Sequence, residues 1–182
     1  MNRFKFFKIF CFLLSIAAVL YFPIKKIIKY EFSPAEVYDF KVTGADPYDP
    51  ARGHYLALRV YPEKAAKKVR YLTEKYAVIT AGEDGFAAVS DIIDKPDGRP
   101  CVKLNKTYGA NIRYPFNRFY INEDLAAEAE QILRDAERTK KMCLLRVRVY
   151  DDGASSVDDL QIDGKSIRKL AAESLKKKKL AK

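Results

Sequence analysis

Residues Ile9 to Ile24 read IFCFLLSIAAVLYFPI, sixteen positions in a row without a charge, and no other run in the 182-residue chain comes close. A helix of that length covers about 24 Å at 1.5 Å per residue. That is slightly less than the roughly 30 Å hydrocarbon core of a bilayer. Phe4, Phe6 and Phe7 extend the apolar surface, with Lys5 and Lys8 among them able to reach towards headgroups on long stems. Residues 4–24 are therefore expected to span the lipid bilayer as one helix, with aromatic belts at Phe4 to Phe10 and at Tyr21–Phe22. A cleaved signal peptide shares the basic start and apolar centre. It also needs small residues at its exit, where Leu20, Tyr21, Phe22 and Pro23 stand instead. Cys11 lacks the small residues that precede a lipoprotein cysteine. The reading is an uncleaved signal-anchor over residues 1–29. Basic residues flank it on both sides, so charge alone sets little orientation. The expectation is a body outside the cytoplasm.

The formal net charge of +10 is unevenly placed. The first 29 residues hold six basic side chains and no acid, and the last 18 hold eight against Glu173. Between them, Tyr30 to Gly164 carries 20 basic and 23 acidic residues, so the body is slightly acidic. A nucleic-acid binder carries its positive charge on the folded surface. Here the excess lies beside the apolar run and in a basic tail, 165–182, which suits phospholipid headgroups; no nucleic acid is expected as a partner. Eleven Phe and twelve Tyr exclude intrinsic disorder, and three cysteines exclude a disulfide-dense scaffold.

The body, 30–164, reads as mainly β (α+β). Glu36 to Val42 alternates, placing Tyr38, Phe40 and Val42 on one face. His54 to Tyr61 is a second strand, and Glu63 to Thr73 a short helix or charged loop. Tyr76 to Ala81 and Phe86 to Ile93 flank Gly82-Glu83-Asp84-Gly85, a hairpin signal. Cys101 to Leu104 and Ala110 to Tyr114 read as short strands. Asn122 caps a helix through Leu125, Ala129, Ile132, Leu133 and Ala136, ending near Arg138 to Lys141. Cys143 to Tyr150 and Val157 to Ile162 are strands around Asp151-Asp152-Gly153. Strands with turns every eight to twelve residues predict an antiparallel barrel or sandwich with one packed helix. In the tail, Ile167, Leu170, Ala171 and Leu175 share a face among lysines. That stretch is either a frayed tail or a contact for anionic lipids.

Candidate chemistry is sparse. The one histidine, His54, stands near Asp46 and Asp49, yet a single strand residue beside an Asp-Pro turn explains it. Neither metal-ligand spacing nor a nucleophile elbow is present, so no metal, cofactor or catalytic residue is expected. Ser33 has no indicated lysine partner for a membrane-tethered hydrolase. Cys101 and Cys143 are either a staple between strands or two core thiols. Tyr108, Tyr114, Phe116, Phe119 and Tyr120 are either core or the lining of a groove.

The densest feature is Asp46-Pro47-Tyr48-Asp49-Pro50-Ala51-Arg52-Gly53, running into His54-Tyr55-Leu56-Ala57-Leu58. Pro47 and Pro50 fix φ and force extended geometry on the residues before them. The aspartates can accept from nearby amides, Arg52 can pair with either, and Gly53 permits a tight backbone before the strand. This is an ordered loop rather than a catalyst. The stretch resembles the bacterial membrane-anchored family named for its G-D-Y-x-x-L-x-Y motif. Gly53, Tyr55 and Leu58 match, while His54 replaces the Asp and Val60 the final Tyr. Tyr108 to Ile121 and Val147 to Gly164 look like the family's two later landmarks. The resemblance implies no established activity. It implies an accessory subunit of a multi-span integral membrane protein; the signal-anchor reading adds the expectation of a bacterial cytoplasmic membrane with the body in the periplasm. The expectation is thus a non-enzymatic binding protein contacting that partner through the Asp46 to Gly53 loop. The residues concerned are Asp46, Pro47, Asp49, Pro50, Arg52, Gly53, Tyr55 and Leu58. The alternatives are a tethered hydrolase of envelope material and a small-ligand module.

Overall fold

The computed structural model describes residues 3–32, 34–44, 55–62, 75–105 and 112–180. The chain divides into two compact units, Met1–Pro34 and Ala35–Lys182. The first is a single helix, α1 (Arg3–Phe32), which continues through Pro23. Ile9, Phe12, Leu13, Val19 and Phe22 along it are each more than half exposed. The stretch expected to span a bilayer, 4–24, is helical throughout. Among the described residues, however, no helix is long and apolar enough to cross a membrane.

The second unit is mainly β. Six strands, β1 (Ala35–Gly44), β2 (Tyr55–Val60), β6 (Arg118–Tyr120), β7 (Cys143–Tyr150), β8 (Ser155–Ile162) and β9 (Lys165–Ser166), form one antiparallel sheet. Its order is β6-β2-β1-β7-β8-β9, and it curls into a half-barrel. The expected alternation on β1 holds: Phe40 and Val42 are buried and Tyr38 packs against the core. On β7 the inner row is Cys143, Leu145, Val147 and Val149, all buried. β-Branched and large aliphatic side chains favour such a half-buried pleat. A second, three-stranded sheet has the order β4-β3-β5, built from β3 (Tyr76–Ala81), β4 (Ala87–Ile93) and β5 (Cys101–Lys103). The hairpin read from the Gly82 to Gly85 turn is there, with Gly82 donating to the Phe86 carbonyl at 2.7 Å.

The sheets meet at Gly153, in the turn between β7 and β8. Its carbonyl accepts from the Lys103 amide at 2.9 Å. Its φ of +87° favours glycine, and a Cβ there would collide with the Tyr76 ring.

Two helices pack on the unit, not the one expected. The first, α2 (Glu123–Arg138), buries Ala129, Leu133 and Ala136. Asn122 sits at its cap position, although its side chain makes no capping hydrogen bond. The second, α3 (Ile167–Leu180), occupies the stretch left open between frayed tail and lipid contact. Ile167 and Ala171 are fully buried in the same core as Phe40, Leu145 and Leu160. Full burial of a large aliphatic contributes about 1.5–3 kcal/mol, which is the reason this segment does not fray.

Another expectation is corrected near Tyr114. Residues 112–114 are not a strand, and positions 110 and 111 lie outside the described residues, as does the 63–74 stretch. The strand of this region is β6, displaced beyond Pro115, where the chain pairs with β2. Tyr114 instead packs edge-on to Phe40 and stacks on Phe116. Phe119 is also buried, so three of the five aromatics are core.

Candidate interaction surface

Asp46, Pro47, Asp49, Pro50, Arg52 and Gly53, with His54, Ser33 and Tyr108, lie outside the described residues. The residues on either side of this segment are described. At its start, the Gly44 amide donates to the Glu137 carboxylate. A Cβ on Gly44 would come within 2.9 Å of that same oxygen, so glycine lets the carboxylate close on the backbone. At its end stands Tyr55, the first residue of β2.

The two motif residues on β2 do different things. Leu58 points inward, is 3% exposed, and donates its amide to the Asn117 carbonyl at 2.9 Å. It is a core residue. Tyr55 points to the other face, opposite Tyr120 of β6, with ring centroids 5.9 Å apart. The Arg118 guanidinium lies 4.9 Å from the Tyr55 ring centroid, a cation–π contact. Tyr120 is 59% exposed. Tyr55, Arg118 and Tyr120 thus form a small aromatic and basic surface at the start of β2. Val60, where the motif has Tyr, shares the buried row with Leu56 and Leu58, so that departure changes core packing.

Arg168, at the start of α3, underpins this surface. It donates to the main-chain carbonyls of Tyr120 at 3.3 Å and Asp158 at 3.2 Å, and lies 4.4 Å from the Phe119 ring centroid. β6 is one edge of the sheet and β8 lies near the other, so this side chain closes the open side of the half-barrel. On the outer face at the centre of the sheet, Arg146 makes a two-pronged contact with Asp39, both bonds 2.8 Å. The carboxylate holds the guanidinium pKa above its ordinary value. A bulge between Arg146 and Val147 turns Asp158 towards Arg148, 2.9 Å away.

Sequence reasoning missed Glu137 and Arg168. Glu137 carried a signal, since an acid in the last turn of a helix opposes the macrodipole and implies a partner elsewhere. Arg168 carried none, because its partners come from β6 and β8, far away in sequence.

Cys101 and Cys143 are separate buried thiols, which resolves the two alternatives. Burial pushes both up to about 11, so neither is a thiolate at neutral pH. Among the described residues, no three His, Cys, Asp or Glu side chains group as a metal site. A cleft of about 390 Å³ opens beside the end of α2, where Asp135, Thr139, Lys141 and Asp163 surround apolar Ile132 and Leu170.

No curated protein and no solved structure matches this chain. The family model described as GDYXXLXY protein matches residues 19–160, and the chain belongs to that family.

Proposed function

We propose that this member of the GDYXXLXY family is a membrane-anchored accessory protein without catalytic activity of its own. Although no described helix is long and apolar enough to cross a membrane, in this reading α1 holds the chain at a bacterial cytoplasmic membrane by its apolar surface and the body lies in the periplasm. The 46–53 loop, with the Tyr55, Arg118 and Tyr120 surface, contacts a multi-span membrane protein. The observation that carries the reading is the apolar surface of α1. From Ile9 to Ile24 the helix carries no charge and exposes large apolar side chains on every side, among them Phe10, Phe12, Leu14, Val19 and Phe22. A helix apolar all round requires an apolar solvent or partner. The flanking Lys25 and the Tyr21 ring, 5.8 Å apart, suit the boundary between chains and headgroups.

The contact surface is supported by its chemistry. Tyr and Arg dominate the residues that carry interface energy. A tether raises the effective concentration of a weak surface near its partner. The test is mild crosslinking of the full-length protein in its native membrane, followed by purification and mass spectrometry. The control replaces only Asp46 and Arg52 by alanine. Enrichment of one multi-span protein that the double variant loses is the expected result. Equal recovery with both chains, or no specific protein, overturns the reading.

A small-ligand module is the second reading, favoured by the cleft beside α2. A saturable thermal shift with a small polar molecule, lost in Lys141→Ala, distinguishes it.

A further inference from the structure

The helix α3 presents two chemically opposite sides. Ile167 and Ala171 are buried, and Glu128 of α2 secures that side. Its carboxylate accepts from Ser174 Oγ at 2.5 Å and from Lys178 Nζ at 2.7 Å, and its side chain is only 11% exposed. The charge of Lys178 is therefore answered within the fold. Lys169, Lys176, Lys177 and Lys179 are exposed, and no ion pair joins them to a described residue. At about 100° per residue, Lys169, Glu173, Lys176 and Leu180 align opposite Ala171, with Lys177 and Lys179 flanking them, so this face carries four lysines against one acid. Leu180, the last residue of the helix, is 79% exposed at the end of this basic face.

We infer that α3 is a headgroup-binding helix that lays its Lys169, Lys176 and Leu180 face on an anionic phospholipid surface. The inference rests on the membrane-anchored reading above. Charge complementarity selects the occupant. Residues 30–164 carry 23 acids against 20 basic residues, so the rest of the body is weakly repelled by an anionic bilayer while α3 is attracted. Leu180 favours lipid over nucleic acid, because an apolar side chain among lysines inserts at a bilayer boundary and has no counterpart on a phosphate backbone. The packing against α2 forms the helix beforehand, so binding need not order it.

The test uses the full chain reconstituted in vesicles of phosphatidylcholine, with or without phosphatidylglycerol. A water-soluble amine reagent labels the lysines. Mass spectrometry then reads each rate relative to Lys95, in the turn after β4. The expected result is labelling of Lys169, Lys176, Lys177 and Lys179 slowed at least about fivefold by phosphatidylglycerol, as an attraction near 1 kcal/mol per lysine implies. High salt should restore the rates. Equal relative rates in both vesicles overturn the inference, as does protection by duplex DNA without protection by vesicles. Flotation with pure phosphatidylcholine vesicles reads anchoring by α1 separately. A chain that floats but stays unprotected keeps the anchor and loses the inference. A chain protected by anionic vesicles that does not float with neutral ones keeps the inference and loses the anchor.

Discussion

The centre of the large sheet and its β2–β6 edge are built from similar residues arranged for different ends. At the centre, seven registered pairs join β1 to β7, and the inner row from Phe40 through Leu145 to Leu160 is fully buried. Its outer row answers charge with charge, Arg146 gripping Asp39 with two bonds. At the edge only three pairs join β2 to β6. On the outer side there the Tyr120 ring is exposed, and the Tyr55 ring and the Arg118 guanidinium beside it are half-buried. Cross-strand pairs are the unit of sheet stability. The centre therefore carries the fold, and the edge is free to carry recognition.

The sharpest way to break that division is at the centre. Phe40 is fully buried and meets both Tyr114 and Phe116 edge-on, at 5.4 and 5.0 Å. Phe40→Ala is expected to lose about 3–5 kcal/mol, through lost transfer energy and an unfilled cavity. Urea denaturation of the reconstituted chain measures this, and Phe40→Leu should recover most of it. A loss under 1 kcal/mol would mean that the core does not rest on this ring.

Next in size is the seam. Arg168→Ala removes two main-chain hydrogen bonds and a cation–π contact, expected to cost about 1–2 kcal/mol. Arg168→Lys keeps a charge near Asp159 but has one ammonium for two separated carbonyls. It should recover less than half of the loss. Full recovery by lysine would show that charge alone, and not the bridging of β6 to β8, closes the half-barrel.

Glu128 gives a smaller effect with a pH signature. The Lys178 hydrogen bond, then that of Ser174, hold its carboxyl below the usual glutamate range. A pKa lower in the folded state than in the unfolded one contributes stability above the unfolded value, near 4.3. That contribution is lost as pH falls through the folded value. Glu128→Gln is expected to cost roughly 0.5–1 kcal/mol at neutral pH. It should also flatten the acid limb below about pH 4. An unchanged acid limb in the variant would show that Glu128 does not hold α3 by its charge.

Much of this fold is legible in the chain, because period-2 alternation on β1, β2 and β7 and period-3.6 spacing on α2 are local signals. The failures are non-local. β6 has three residues and exists because β2 offers it an edge. α3 is short and lysine-rich, and its order comes from burying Ile167 and Ala171 against partners distant in sequence. The candidate surface is legible by halves. Tyr55 and Leu58 are three residues apart on one strand, so period-2 alternation already puts them on opposite faces. Arg118 and Tyr120 become part of the surface only through the β2–β6 register.

The smallest stability change should come from Tyr120→Ala, and it sharpens the comparison most. The Tyr120 side chain is mostly in water, and Arg168 holds that residue by its main-chain carbonyl, which the substitution leaves in place. Stability should stay within about 0.5 kcal/mol of the parent chain. Leu58→Ala, on the neighbouring strand, should cost about 2–5 kcal/mol. If the edge is the recognition surface, Tyr120→Ala lowers crosslinking to the membrane partner while the chain remains folded. Full crosslinking in that variant would leave recognition to the 46–53 loop alone, and Tyr55 would then be a post for the loop rather than part of the contact.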